Sequence, residues 1–361
     1  MKRTGLMLGL ALVAQALVVL AFPSPAHAEE RVVFAGWGGT LQDAQRRAIF
    51  SAFEKATGIK VVEATQPFAS KIKAMVQSGN TEWDVAMVVP VDFLLLREQG
   101  LLEKIDYSKI DKETLDGMDT DARDPYGVAA IVYSRVICWN TKAFPNEASA
   151  PQSFADVWNV QRFPGKRVFD SGDATFPPIE YALLADGVEA SKLYPLDMDR
   201  AYKSLTKIRP SVVKWAKTAA IPTQALVDGE ATVAVCSHPR IAELKSQGAP
   251  VNYTFNQGLL KRDSYVIPKG AKNYANAMKF IAFATSARIE ADLSNQQPVS
   301  PPNRNAYKYI DAARAKELPT DPSNLPRQLW VNDAWWATID PASGKSWREQ
   351  NVVRWNRWVV E

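Results

Sequence analysis

Residues 31–61, RVVFAGWGGTLQDAQRRAIFSAFEKATGIKV, decide the fold. Val32, Val33 and Phe34 are the β-branched and aromatic residues that a short buried strand prefers. Gly36, Trp37, Gly38, Gly39 and Thr40 follow as a Gly-rich turn. Ala48, Ile49, Phe53 and Ala56 then fall close to helical spacing until Gly58 supplies a stop, and a second strand over 59–62 completes a βαβ unit. In such a unit the turn lies at the carboxyl end of the strand and the amino end of the helix, where open sheets hold their ligands. Trp37 stands in that turn with little side-chain cover, so either another part of the chain closes over it as ordinary packing or a ligand stacks on it. GWGG matches neither GxxxxGKS/T nor GxGxxG, and its glycines are a weak signal for a phosphate loop.

Residues 1–28 precede the fold. Lys2 and Arg3, an apolar run over 6–22 and the small-residue site Ala26-His27-Ala28 make a secretory signal peptide, so the mature chain is expected to start near Glu29 and to be periplasmic. The run is short for an uncleaved anchor, and no Cys follows it to carry a lipid. The whole chain has 43 basic and 39 acidic residues, and loss of Lys2 and Arg3 leaves a net charge of +2, which argues against a nucleic-acid partner. The remaining 333 residues (361 less 28) exceed what one core usually organises, so two lobes are expected. Cys138 and Cys236 each sit in an apolar run. A disulfide and two buried thiols both fit, and the sequence leaves the pairing open.

Along the chain, strand, loop and helix alternate. A helix pattern through Ile72, Met75 and Val76 leads to a strand over 85–89, a break at Pro90-Val91-Asp92 and a helix over 93–99. The β-rich run 126–139, YGVAAIVYSRVICW, is long enough to cross between lobes. Ser153 is a plausible helix N-cap. A strand over 165–169 opens into the loop DSGD at 170–173, and Pro177-Pro178 starts the next helix. A buried strand over 231–236 ends in Ser237-His238-Pro239-Arg240, and LLKRDSYVIP at 259–268 suggests a return crossing. From Pro298 the chain is rich in Pro, Asn and Trp (Trp330, Trp335, Trp336, Trp347, Trp355, Trp358), which is expected to form terminal helices clamping the first lobe. The class is α/β, with residues 29–132 as the first lobe, 133–262 as the second and 263–361 as the return to the first.

Catalysis finds few parts. With His27 in the signal, His238 is the one histidine of the mature chain, and GxSxG, HExxH and CxxC do not occur. One His cannot fill a metal site or activate a nucleophile without partners, so no metal or cofactor is expected. Asp170 and Asp173 could act as a carboxylate pair, although DSGD suits a turn equally well, and a secreted enzyme using Asp170, Asp173 and His238 is the remote alternative. Charges at apolar strands are more informative. Arg240 follows TVAVCSHP, and Asp263 lies inside LLKRDSYVIP, where a carboxylate must find a donor or cation or bear a large desolvation cost. The two either pair with each other or surface partners, or present one cation and one anion to a cleft. A small zwitterion would satisfy both.

FAGWGG with FEKATGIKV, EWDVAMV, QGLLEKIDYSKI, FPGKR, YALLADG, LYPLD, LVDGEATVAV, NQGLL with DSYVIPKGAKN, and the late WWA occur in this order along the chain. Together they resemble bacterial extracellular solute-binding proteins of the spermidine/putrescine-binding type. The resemblance implies a two-lobe type II periplasmic-binding protein fold with two hinge crossovers. It also implies a monomer that traps a small-molecule solute by closure and delivers it to an ABC permease in the inner membrane. In the polyamine-binding relatives the first-turn aromatic stacks on the ligand and an Asp at the position of Asp263 holds an ammonium, which implies those roles for Trp37 and Asp263. Such binders commonly have Trp-Asn-Gly where this chain has Ser237-His238-Pro239, and a second Trp where it has Lys261. Two stacking faces are therefore missing, and a dication would meet Lys261 and Arg240. Relatives that bind γ-aminobutyrate resemble this chain in having both the Arg, for the carboxylate, and the Asp, for the amine. A γ-aminobutyrate-like amino acid is the expected solute, with a polyamine as the rival, and Arg suits a carboxylate because it can donate two parallel hydrogen bonds. Val91, Asp92, Tyr133, Asp170, Asp173, Ser237 and Lys261 are further candidates for the cleft wall.

Overall fold

The computed structural model describes residues 30–361, so the expected signal peptide lies outside the described residues. β1 (Arg31–Gly36) pairs in parallel with β2 (Lys60–Thr65) and with β3 (Val85–Val88), as the βα alternation predicts. Gly38 and Gly39 adopt φ values of 73° and 60° between β1 and its helix, a left-handed backbone that residues with a Cβ resist. The helix begins at Gly39, contains a π-helical stretch at Arg46–Phe50 and ends at Gly58, which is left-handed at φ 75°.

After the short β4 (Arg123–Asp124), β5 (Gly127–Asn140) carries the chain into a second parallel set made of β6 (Arg167–Asp170), β7 (Val212–Ala216) and β8 (Val233–Ser237). β9 (Val251–Val266) brings it back. The order across the sheet is β2-β1-β3-β9-β5-β8-β6-β7, with β5 and β9 antiparallel at its centre and a parallel set on either side. β9 starts at Val251, eight residues before the segment expected at 259–268. The β5/β9 register shifts between Ala129 and Ile131 and again between Arg135 and Ile137, and such bulges bend the strands.

Separate cores form on the two sides. Phe34, Phe50, Phe53 and Phe280 lie in one, and Ile137, Trp139, Phe169 and Tyr181 in the other. The carboxyl-terminal segment departs from expectation. Ala306, Ile310 and Leu318 pack against Ala291 as a continuation of the first lobe, but β10 (Gln328–Trp330) then pairs in parallel with Gly258–Leu260 of β9 and makes a third passage between lobes. Trp336, Trp355 and Trp358 are buried in the second lobe's core, so the terminal helices are anchored in that lobe, while the helix Asp333–Ala337 also packs against the helix Pro90–Glu98 of the first. Polar anchors explain the choice. Trp336 Nε1 donates to buried Glu180 at 2.8 Å, Trp358 Nε1 to Thr206 at 3.0 Å, and Asn351 Nδ2 to the Gly172 carbonyl at 2.8 Å. The Trp355 ring occupies the space that a Cβ on Gly172 would need, which accounts for the glycine of DSGD.

Cys138 and Cys236, on the neighbouring strands β5 and β8, form a disulfide with Cα atoms 6.1 Å apart and a sequence separation of 98, which settles the pairing. Cross-linking so long a loop restricts the unfolded chain, so Cys236→Ser is expected to lower stability by roughly 2–4 kcal/mol. Thermal melts of the variant and of wild type with and without reductant check this: reductant should move the wild-type melt toward the variant and leave the variant unmoved.

Candidate functional site

Between the lobes, against the β5/β9 pair, lies a cavity of about 440 Å³. Side chains alternate across a strand, and the pairing sets Ile131 opposite Asp263 and Tyr133 opposite Lys261, so Ile131, Tyr133, Arg135, Lys261 and Asp263 share one face. Ile131, Tyr133, Arg135 and Asp263 line the cavity, and Trp37 enters from the β1 turn. The sheet thus brings Trp37, Tyr133 and Asp263 together across 226 residues of sequence separation. Trp37 Nε1 donates to Asp263 Oδ2 at 3.0 Å and Tyr133 OH to Oδ1 at 2.8 Å. Asp263 is 3% exposed and has no ion-pair partner among the described residues, so burial pushes its carboxyl up to about 7 even though both donors and Lys261 favour the charged form.

Neighbouring charges are quenched from outside the cavity. Arg135 donates through Nε to Asp170 Oδ2 at 3.0 Å, Tyr181 OH donates to the same oxygen at 3.3 Å, and the guanidinium lies 4.6 Å from the Phe176 ring centroid. Lys261 Nζ, 4.7 Å from the Phe176 ring centroid, donates to Asp333 at 2.6 Å and to the Thr175 carbonyl at 3.0 Å. Arg240, exposed at the cavity's edge, has no carboxylate within ion-pair distance among the described residues. Beside it the helices Ala220–Val227 and His238–Ser246 begin at Ala219 and Ser237, which line the cavity and give their helices no side-chain cap. Uncapped helix N-termini next to a guanidinium favour an anion, and the Asp263 end favours a cation.

Of the residues expected at the site, Trp37, Tyr133, Ser237, Arg240 and Asp263 line this cavity. Val91, Asp92 and Asp173 line a second one beyond Trp37, of about 410 Å³. Asp92 accepts from the Ala69 amide at 3.2 Å and is shifted upward by burial. Asp173 accepts from Ser171 and lies 3.4 Å from Lys217. Asp170 is buried behind Arg135, where burial pushes its carboxyl up, and Lys261 is buried against Asp333. Arg240 and Asp263 do not pair with each other. His238 is fully buried against Tyr253 and Phe255 and lies off the cavity wall, and desolvation drives its pKa down to about 3, so the ring is neutral and out of a solute's reach. Phe68, Phe176 and Arg135 were not foreseen. The reasoning that picks out Asp263, a charge inside an apolar strand, applies equally to Arg135 in YSRVICW.

An interlobe cavity with an acidic and a basic end, on a sheet whose halves are joined by three strands, defines a protein that encloses a small solute. The chain belongs to the bacterial extracellular solute-binding protein family, whose model matches residues 48–320. It is 32% identical over 350 residues to a gamma-aminobutyric acid-binding protein of Pseudomonas aeruginosa, covering 94% of each chain. Spermidine/putrescine-binding periplasmic proteins match at 24–25%. Among solved structures, an ABC transporter substrate-binding protein from Bradyrhizobium japonicum is 36% identical with a TM-score of 0.83, covering 91% of this chain and 99% of that one. A GABA receptor is 37% identical with a TM-score of 0.81, covering 91% and 97%.

Asp263 makes stability depend on pH. Its folded pKa of about 7 exceeds the ordinary 3.8, so between those values the native state holds a proton that the unfolded chain has released. Its contribution to the ligand-free protein is greatest at acid pH and is lost as pH rises toward 7, by an amount on the order of 4 kcal/mol from the size of the shift. Asp263→Asn cannot ionise. The melting temperature of this variant minus that of wild type is expected to increase between about pH 5 and about pH 8, and a pH-independent difference in calorimetric scans would contradict the assignment.

Proposed function

We propose that this protein is a periplasmic receptor that captures a γ-aminobutyrate-like amino acid between its lobes and delivers it, on closing, to an ABC permease. The observation that carries the reading is a buried carboxylate, Asp263, held by two neutral donors and no cation, in the same cavity as Arg240, a guanidinium with no carboxylate partner. An ammonium completes the first and a carboxylate the second, and the Trp37 and Phe68 rings flank the apolar chain between them. The relatives described as binding gamma-aminobutyric acid support the same solute. The cleft serves binding and closure without bond-making.

A polyamine fits less well, for a reason that differs from the expected one. Lys261 does not repel it, because Asp333 neutralises that ammonium. The obstacle is the far end, where Arg240 and two uncapped helix N-termini would face a second ammonium and Glu243 is the one other acid on the cavity wall.

Isothermal titration of the mature protein tests this. γ-Aminobutyrate should bind, and Arg240→Ala should weaken it by roughly ten- to a hundredfold, the worth of a lost charge-assisted hydrogen bond pair, while putrescine binding does not weaken. Affinity for γ-aminobutyrate should also fall as pH drops below about 7, where a proton competes for Asp263. An unchanged γ-aminobutyrate affinity in Arg240→Ala would overturn the reading.

A further inference from the structure

The cavity holding Asp263 is not closed off at Trp37. Trp37, Phe68, Val89, Thr175 and Lys217 wall both it and the second cavity of about 410 Å³, so the two adjoin along that row of side chains. The far wall of the second comes from two directions. The helix Pro90–Glu98 of the first lobe supplies Val91 and Asp92, and the carboxyl-terminal segment, fixed to the second lobe by its indoles, supplies Ala337, Ile339 and Arg348.

Two opposite charges there lack a counterpart. Arg348 Nη2 donates only to the backbone carbonyls of Asp173 and Ala174, Nη1 is buried with no hydrogen-bond partner, and no carboxylate lies within ion-pair distance among the described residues. A cation so placed forfeits hydration without recovering it from a partner. Asp92, across the cavity, has the Ala69 amide as its hydrogen-bond partner and no cation within ion-pair distance among the described residues. The other charged groups on this wall are satisfied or exposed: Glu349 closes a capping box with Ser346, Asp173 meets Lys217, and Glu98 faces water.

We propose that the second cavity is a subsite for a polar substituent on the ligand's nitrogen, so that the protein's full ligand is an amino acid whose amine bears an acceptor-rich arm reaching Arg348 and Asp92. This rests on the reading that the amine sits at Asp263. Trp37 binds Asp263 and also borders the second cavity, so an arm that branches at or near the nitrogen has the short way into it, and that nitrogen stays protonated when alkylated. A carboxylate or hydroxyl on the arm answers Arg348, and a hydroxyl can also donate to Asp92.

The probes are γ-aminobutyrate and N-(carboxymethyl)-γ-aminobutyrate, titrated calorimetrically into the mature protein, its Arg348→Ala variant and an Ala337→Phe variant that fills the second cavity without touching the first. The expected result is at least about tenfold tighter binding of the N-substituted probe by wild type, with both variants losing that gain and keeping γ-aminobutyrate affinity within about threefold. Binding of γ-aminobutyrate with no gain from the arm overturns the subsite and leaves the γ-aminobutyrate reading standing. Equal losses for both probes in Arg348→Ala, with Ala337→Phe silent, assign Arg348 to lobe packing and overturn the subsite also. Binding of neither probe by wild type overturns both readings together.

Discussion

The carboxylate of Asp263 is desolvated by the fold and receives no cation from it, and much of the surrounding structure follows from holding it that way. Two neutral donors, an indole and a phenol, are enough to fix its direction without cancelling its charge. A nearby ammonium would cancel it, and Lys261 lies two residues away on the same strand face. That side chain is instead turned to Asp333, while Arg135 is turned to Asp170. Each potential competitor is paired from behind, which leaves Asp263 without a cation among the described residues.

Asp333 belongs to the carboxyl-terminal segment, which gives that segment a part in the site as well as in the second lobe's packing. Its indoles need large apolar partners and their N–H groups need acceptors, and the second lobe provides both in Glu180, Thr206 and the bare backbone at Gly172. Once anchored there, the chain from β10 into the first turn of the last helix runs along the cleft and brings Asp333 to Lys261 and Arg348 to the second cavity. The tryptophans set where those two charges stand.

How much of this the sequence discloses depends on the range of each signal. The βαβ unit at 31–61, the long run at 126–139, the Ser153 cap and Asp263 are local patterns, and the structure has them where the pattern places them. The tail's side of attachment is not local. Six tryptophans state that a segment is buried but not against what, because an indole packs on any apolar surface and the acceptors that decide the matter lie more than a hundred residues upstream. Asp170 and Lys261 read as cleft residues for a related reason: a charge beside a strand end announces a need for a partner, and only the folded neighbours tell whether Arg135 or Asp333 has already met it. Arg135, a charge inside the apolar run YSRVICW, follows the same rule as Asp263.

The placement of the site relative to the strand irregularities bears on closure. The β5/β9 ladder is regular from Ile131 to Arg135, where Tyr133 and Asp263 sit, and is interrupted on both sides of that stretch. Bending of one lobe against the other costs least where ladder hydrogen bonds are already missing, so the interruptions are the places suited to a hinge and the regular stretch between them is the stiffer part. Trp37 comes from the first lobe and Arg240 from the second, while Asp263 and Tyr133 belong to the connection between them. In the binding mode proposed above, a solute held at the connection would be approached from both sides, and Asp263 would not have to move with either lobe.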